Sequence, residues 1–272
     1  MRGTLWLSMG FFLGLVSNVV VNLVFWALLG AVFWAITMSV ARRFSWFFGV
    51  ARVNSIAVVV SNLWTPQASP GGRAVGYTIS RHELWAAQAV DRLFSSASLR
   101  MPELVRGLVD ALWLRQSVRC TIEVSPVDGG DADLGRNLIV VGGSARNSVR
   151  ARYVRARLPT AILTGEDQEP VKHDRSITIV RGGIASTVNL TEVNVALIEK
   201  CRDPDRGTTV FFCLGVRADG SWAAAEYLVR NWKRLAAEFG DAAFVVCLGF
   251  PHTEEHAEEY KEPLRLSIGS SR

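Results

Sequence analysis

The sequence predicts an α/β domain built on a mostly parallel sheet with an antiparallel insert, preceded by an N-terminal transmembrane helix. Three observations lead there. Residues 5–40 form an apolar stretch with no charged side chain. Beyond it, short β-branched runs such as Ser55-Ile-Ala-Val-Val-Val alternate with helical stretches, the pattern of a parallel sheet with helix crossovers. Several of those runs stop on glycine just before a helix begins, as in Val140-Val-Gly-Gly143 and Cys213-Leu-Gly215.

The 272 residues suffice for an anchor and one soluble domain large enough to bury a core. Four of the 30 basic residues are Lys, leaving 26 Arg, and the net charge is +5. That charge suits an acidic membrane surface or an anionic ligand and is too small to argue for a nucleic acid polymer. The four cysteines, Cys120, Cys201, Cys213 and Cys247, are widely spaced, which indicates free thiols in a reducing compartment.

Residues 1–41 are read as the membrane anchor, because about 20 apolar residues cross a bilayer. One helix is preferred, with a two-helix hairpin breaking at Asn18 and Asn22 as the alternative. Arg42, Arg43 and Arg52 follow the segment and only Arg2 precedes it, so the C-terminal side is expected on the cytoplasmic face of the inner membrane. Residues 42–54 are read as a juxtamembrane linker, with Trp46, Phe47 and Phe48 as an interfacial belt. Gly10, Gly14, Asn18 and Asn22 fall on one i, i+4 row, a pattern that suits self-association into a homo-oligomer within the lipid bilayer.

The soluble α/β domain is expected at 55–250, ahead of a polar tail at 251–272. Ser55–Ser61 reads as a strand buried on both faces. A loop at 62–79 carries Pro66, Pro70, Gly71, Gly72 and Gly76. Ser80-Arg-His-Glu83 is a capping-box pattern opening a helix to about Ser95, and a second helix is expected from Pro102 to Trp113. Strands follow at Val118–Val124 and Leu138–Val141, separated by an acidic turn at 128–133. Residues 159–200 hold short β-like runs with turn signals between them, the expected antiparallel insert. Thr208–Leu214 and Asp241–Leu248 return to buried strands, with a long helix from Gly220 to about Phe239 between them.

Ligands of open α/β sheets bind beyond the carboxyl ends of the strands. Two junctions there share one layout of buried strand, glycine and small polar residues at a helix start. Gly142, Gly143, Ser144 and Asn147 form the first, and Gly215, Asp219, Gly220 and Ser221 the second. Successive N–H groups at such turns suit a phosphate or carboxylate, and Arg146 and Arg150 follow the first turn. The alternative is that the glycines serve only tight turns and close packing. No dinucleotide fingerprint, P-loop or nucleophile elbow accompanies either junction. His252-Thr-Glu-Glu-His256 matches an inverted zinc-protease pattern, but such a site needs both His on a helix and Pro251 here follows a strand directly, so no metal is expected, and no cofactor.

The pairing of strand-Gly-Gly-Ser-x-x-Asn with a later strand-Gly-x-x-x-x-Gly-Ser-Trp-Ala-Ala resembles Rossmann-like sensor domains tethered to membrane helices in bacterial signalling and defence systems. The resemblance covers two short windows and implies recognition of a nucleotide-type signal. The resulting expectation is a membrane-anchored cytoplasmic sensor or binding protein for an anionic small molecule, a nucleotide derivative. The alternatives are an anchored enzyme acting on a nucleotide or phosphate ester, with Glu226 or His82 as acid or base, and a non-catalytic membrane scaffold.

Overall fold

The computed structural model describes residues 2–51, 53, 55–62, 79–99, 118–125, 135–143, 147–159, 161–163, 176–181, 184–189, 193–215, 218–251 and 264–271. The chain divides into two compact units, residues 1–44 and 45–272. Helix α1 (Arg2–Phe47) runs without interruption through Asn18 and Asn22, so a single helix forms rather than a hairpin. Its stretch from Asn18 to Phe47 is long and apolar enough to cross a membrane. Leu23, Trp26 and Phe33 are among the large apolar side chains it leaves exposed. A helix satisfies its own backbone groups, so such a surface is suited to hydrocarbon.

The second unit is a mixed α/β domain. Its elements are β1 (Ser55–Val60), α2 (Arg81–Leu99), β2 (Arg119–Val124), β3 (Asn137–Val141), α3 (Ser148–Arg155), β4 (Ala161–Leu163), β5 (Ser176–Arg181), β6 (Ile184–Asn189), β7 (Val193–Arg202), β8 (Thr209–Gly215), α4 (Ala218–Phe239), β9 (Ala243–Pro251) and β10 (Leu264–Ser271). Seven strands form one sheet in the order β10-β9-β7-β8-β3-β1-β2. Strands β2, β1, β3 and β8 pair in parallel, whereas β7 lies antiparallel between β8 and β9. The expected insert is present as a separate antiparallel sheet, β4-β5-β6, while β7 leaves it to join the main sheet.

Strand alternation sorts the core onto two faces. Ala57, Val59, Leu138, Val140, Phe212 and Leu214 pack with Val149 and Tyr153 of α3 on one face. The opposite face carries α2 and α4, whose Phe94 and Trp232 converge on Phe48. Residues Ile56–Val60 are buried throughout, which explains why β1 reads as an unbroken apolar run.

Several expectations change. Phe47 and Phe48 do not form an interfacial belt within a linker, since they are 1% and 0% exposed. Both rings contact Phe211, with centroids 5.3 Å away, and Phe47 stacks on Phe244. Only Trp46 of the three stays exposed. Gly49 makes this entry tight. Its φ is +74°, and an added Cβ would meet the Thr209 Cβ at 2.7 Å and Asn137 Oδ1 at 2.8 Å. Asn137 secures the same place, donating to the Val53 carbonyl and accepting from the Thr209 N–H, both at 2.9 Å.

The second change is at the C-terminus. Residues 264–271 of the expected polar tail form β10, paired antiparallel with β9. The pairing shifts register between Arg265 and Ser267. The third concerns Glu83, taken up below. The expected helix at 102–113, the acidic turn at 128–133 and the His252–His256 pattern lie outside the described residues.

Phe48→Ala should lower the unfolding free energy of the full chain by about 3–5 kcal/mol, the range for deleting a buried Phe ring. Chemical denaturation in detergent, followed by circular dichroism, measures it. A loss below 1 kcal/mol would contradict the wedge.

Candidate functional site at the carboxyl edge of the sheet

The two glycine turns are neighbours. Strands β3 and β8 pair in parallel with Val141 opposite Cys213, and the Gly142 N–H donates to the Cys213 carbonyl at 3.1 Å. From β1 the chain moves outward to β2, and from β3 it moves the other way, so strand order reverses between β1 and β3. Open α/β sheets bind ligands at such a reversal, because the two connections diverge and leave a crevice.

Each junction depends on a missing Cβ. Gly142 has φ +98°, and a Cβ there would strike the Ser61 Oγ and lie 2.6 Å from Glu83 Oε1. Gly215 is pressed against the backbone of Gly220 and Ser221, which lets α4 begin directly over the end of β8. Ser221 is buried and Gly220 with it, and Asp219 accepts from the Gly220 N–H at 2.9 Å. Gly143 is half-buried, and its carbonyl accepts from the Asn147 N–H. Ser144 and Arg146 lie outside the described residues.

Asn147 is fully buried and its amide is engaged by the protein's own backbone. Its Oδ1 caps α3 by accepting from the Arg150 N–H, and its Nδ2 donates to the carbonyls of Val59 and Val141. It therefore ties the ends of β1 and β3 to the start of α3, and its place in the site is that of a support.

Arg150 also departs from expectation. It is fully buried, donates to the Ala161 carbonyl at 2.6 Å, and lies 4.3 Å over the Phe212 ring. Its Nη1 is 3.8 Å from Glu199 Oε2 on β7, on the α3 face of the sheet. A guanidinium so enclosed is matched to Glu199, and opening that pair would strand a buried charge. Glu226, considered above as an acid or base, makes a helix-surface ion pair with Arg230 at 2.7 Å.

Sequence reasoning missed the carboxylate at this edge of the sheet. Glu83, in the first turn of α2, points toward the end of β1 and not back along its helix as a capping box requires. Its Oε2 accepts from the Ser61 N–H at 2.9 Å, and the residue is 5% exposed. Burial raises its pKa above the ordinary 4.5, and the hydrogen bonds from Ser61 only partly oppose that. His82, considered above as an acid or base, meets two residues that were missed, Trp85 of α2 and Trp222 of α4, beside this edge. Their signal is positional: each tryptophan is the fifth residue of a helix that opens at the carboxyl edge.

Comparison with protein-family models, with curated proteins and with solved structures gives no match.

Two outcomes follow from this geometry. Gly142→Ala should destabilise the domain by more than 1 kcal/mol, because it adds left-handed strain to contacts with Ser61 and Glu83. Thermal unfolding measures it, and an unchanged midpoint would contradict the packing. The folded state holds the Glu83 proton more tightly than the unfolded chain. Its contribution is thus complete below pH 4.5 and declines as pH rises through the folded value. Glu83→Gln should flatten that decline in a stability-against-pH profile, and an unaltered slope would contradict the assignment.

Proposed function

We propose that this chain is a membrane-anchored sensor or binding protein for an anionic small molecule, a nucleotide derivative, bound at the carboxyl edge of a Rossmann-like domain. The observation that carries the reading is the adjacency of the Gly142–Gly143 and Gly215–Ser221 turns on paired parallel strands, beside the β1/β3 reversal. Glu83 is held inboard against Ser61, so the ligand's anion belongs outboard of it, over Gly143 and the starts of α3 and α4. The α1 helix anchors the domain in the inner membrane, with the domain on the cytoplasmic side as the flanking arginines favour. Self-association runs through the row of Gly10, Gly14, Asn18 and Asn22.

One observation favours a second reading, an enzyme acting on a nucleotide or phosphate ester. Glu83 is a buried carboxyl with a raised pKa in the crevice, the environment of a general acid or base. It replaces Glu226 and His82 as the residue to test in that role.

Equilibrium dialysis of the detergent-solubilised full chain against a nucleotide panel tests both. Under the binding reading at least one nucleotide binds saturably and Ser221→Ala weakens it. Glu83→Gln strengthens that binding, since a negative charge beside the anion is removed. Failure of every nucleotide to bind folded protein would overturn it. Product formation that Glu83→Gln abolishes would instead establish the enzyme.

A further inference from the structure

We propose that His82, Trp85 and Trp222 form a stacking platform for the planar ring of the ligand, which makes the ligand class a nucleobase-bearing phosphate. The inference deepens the binding reading above and rests on it for the ligand's anionic part. The three rings come from two helices that start at the same sheet edge. The Trp85 and Trp222 centroids are 5.4 Å apart, and His82 is 5.5 Å from Trp85 and 5.9 Å from Trp222.

The tryptophan planes are inclined at 59° to one another. A ring stacked on one indole presents its edge toward the other, an arrangement that aromatic quadrupoles favour. Trp85 is 38% exposed and the adjoining Leu84 39% exposed, in a region where helices ordinarily show polar side chains. An indole kept at the surface retains a π-face for a planar partner, and such stacking tolerates any base. Arg81 lies 4.7 Å over Trp85, fixing one face of that ring and placing a guanidinium beside the platform for the ligand's phosphate.

The location is the second argument. Glu83 and Ser221 are neighbours in sequence of the platform residues, and both are buried at the crevice. Side chains at 82 and 85 on α2 and at 222 on α4 therefore flank the position assigned to the anion. A nucleotide offers a phosphate and a planar ring to these two places together, whereas a bare phosphate or a small carboxylate leaves the platform empty.

The test uses the full chain in detergent and three probes: adenosine 5′-monophosphate, adenosine, and ribose 5-phosphate. Affinity is measured by calorimetry and ring contact by quenching of tryptophan emission. The nucleotide is expected to bind at least tenfold more tightly than ribose 5-phosphate and to quench emission. Trp222→Leu should weaken nucleotide binding about tenfold, the loss of one base–aromatic stack, and leave ribose 5-phosphate binding unchanged. Trp222→Phe should restore most of the affinity, which separates stacking from a folding defect, and circular dichroism confirms each variant is folded.

Equal affinity for nucleotide and ribose 5-phosphate, with no effect of Trp222→Leu, would overturn the platform and leave the anion site standing. Adenosine binding that depends on Trp222, with no measurable binding of ribose 5-phosphate, would support the platform while removing the anion reading. Binding of none of the three probes would overturn both.

Discussion

The hydrogen bond from the Ser61 N–H to the Glu83 carboxylate is the constraint around which the carboxyl edge is arranged. A buried carboxyl without a donor is destabilising, so the end of β1 must present its N–H to the first turn of α2. That contact needs space on the β3 side, which the missing Cβ of Gly142 supplies. Asn147 closes the arrangement from the other side, linking the Val59 and Val141 carbonyls to the start of α3. Strand separation at the reversal, the entry of α2 and the entry of α3 thus depend on one another.

The amino edge of the sheet is held by different physics. There the chain enters through Phe47 and Phe48, which lie beneath α2 and α4 and touch Phe94, Trp232, Phe211 and Phe244. Asn137 and Gly49 register this wedge against the first residues of β3 and β8. Because α2 and α4 begin at the carboxyl edge and contact Phe48 further along, they join the two edges by continuous packing.

The α3 face shows how a charge is accommodated inside an α/β sandwich. Arg150 is covered by Phe212, bonded to the Ala161 carbonyl and set opposite Glu199. The same pair brings β4 close to β7, since the Ala161 N–H donates to Glu199. Arg150 is thereby a structural link between the insert and the main sheet.

Periodicity and composition alone determined the apolar helix, the buried strands, the antiparallel insert and the two glycine turns, because each is a local property of a few consecutive residues. The β-branched run at 55–60 announces a central strand, and a glycine before a helix announces a tight turn, whatever lies elsewhere in the chain. The roles of side chains were decided only by tertiary structure. Glu83 reads as a capping residue until β1 places Ser61 beside it, and Phe47 and Phe48 read as a membrane belt until β8 and β9 cover them. Arg150 reads as a cation within reach of a bound anion until β7 brings Glu199 opposite. Burial and partnership are relations between distant segments, and one sequence records only which groups exist, not which of them meet.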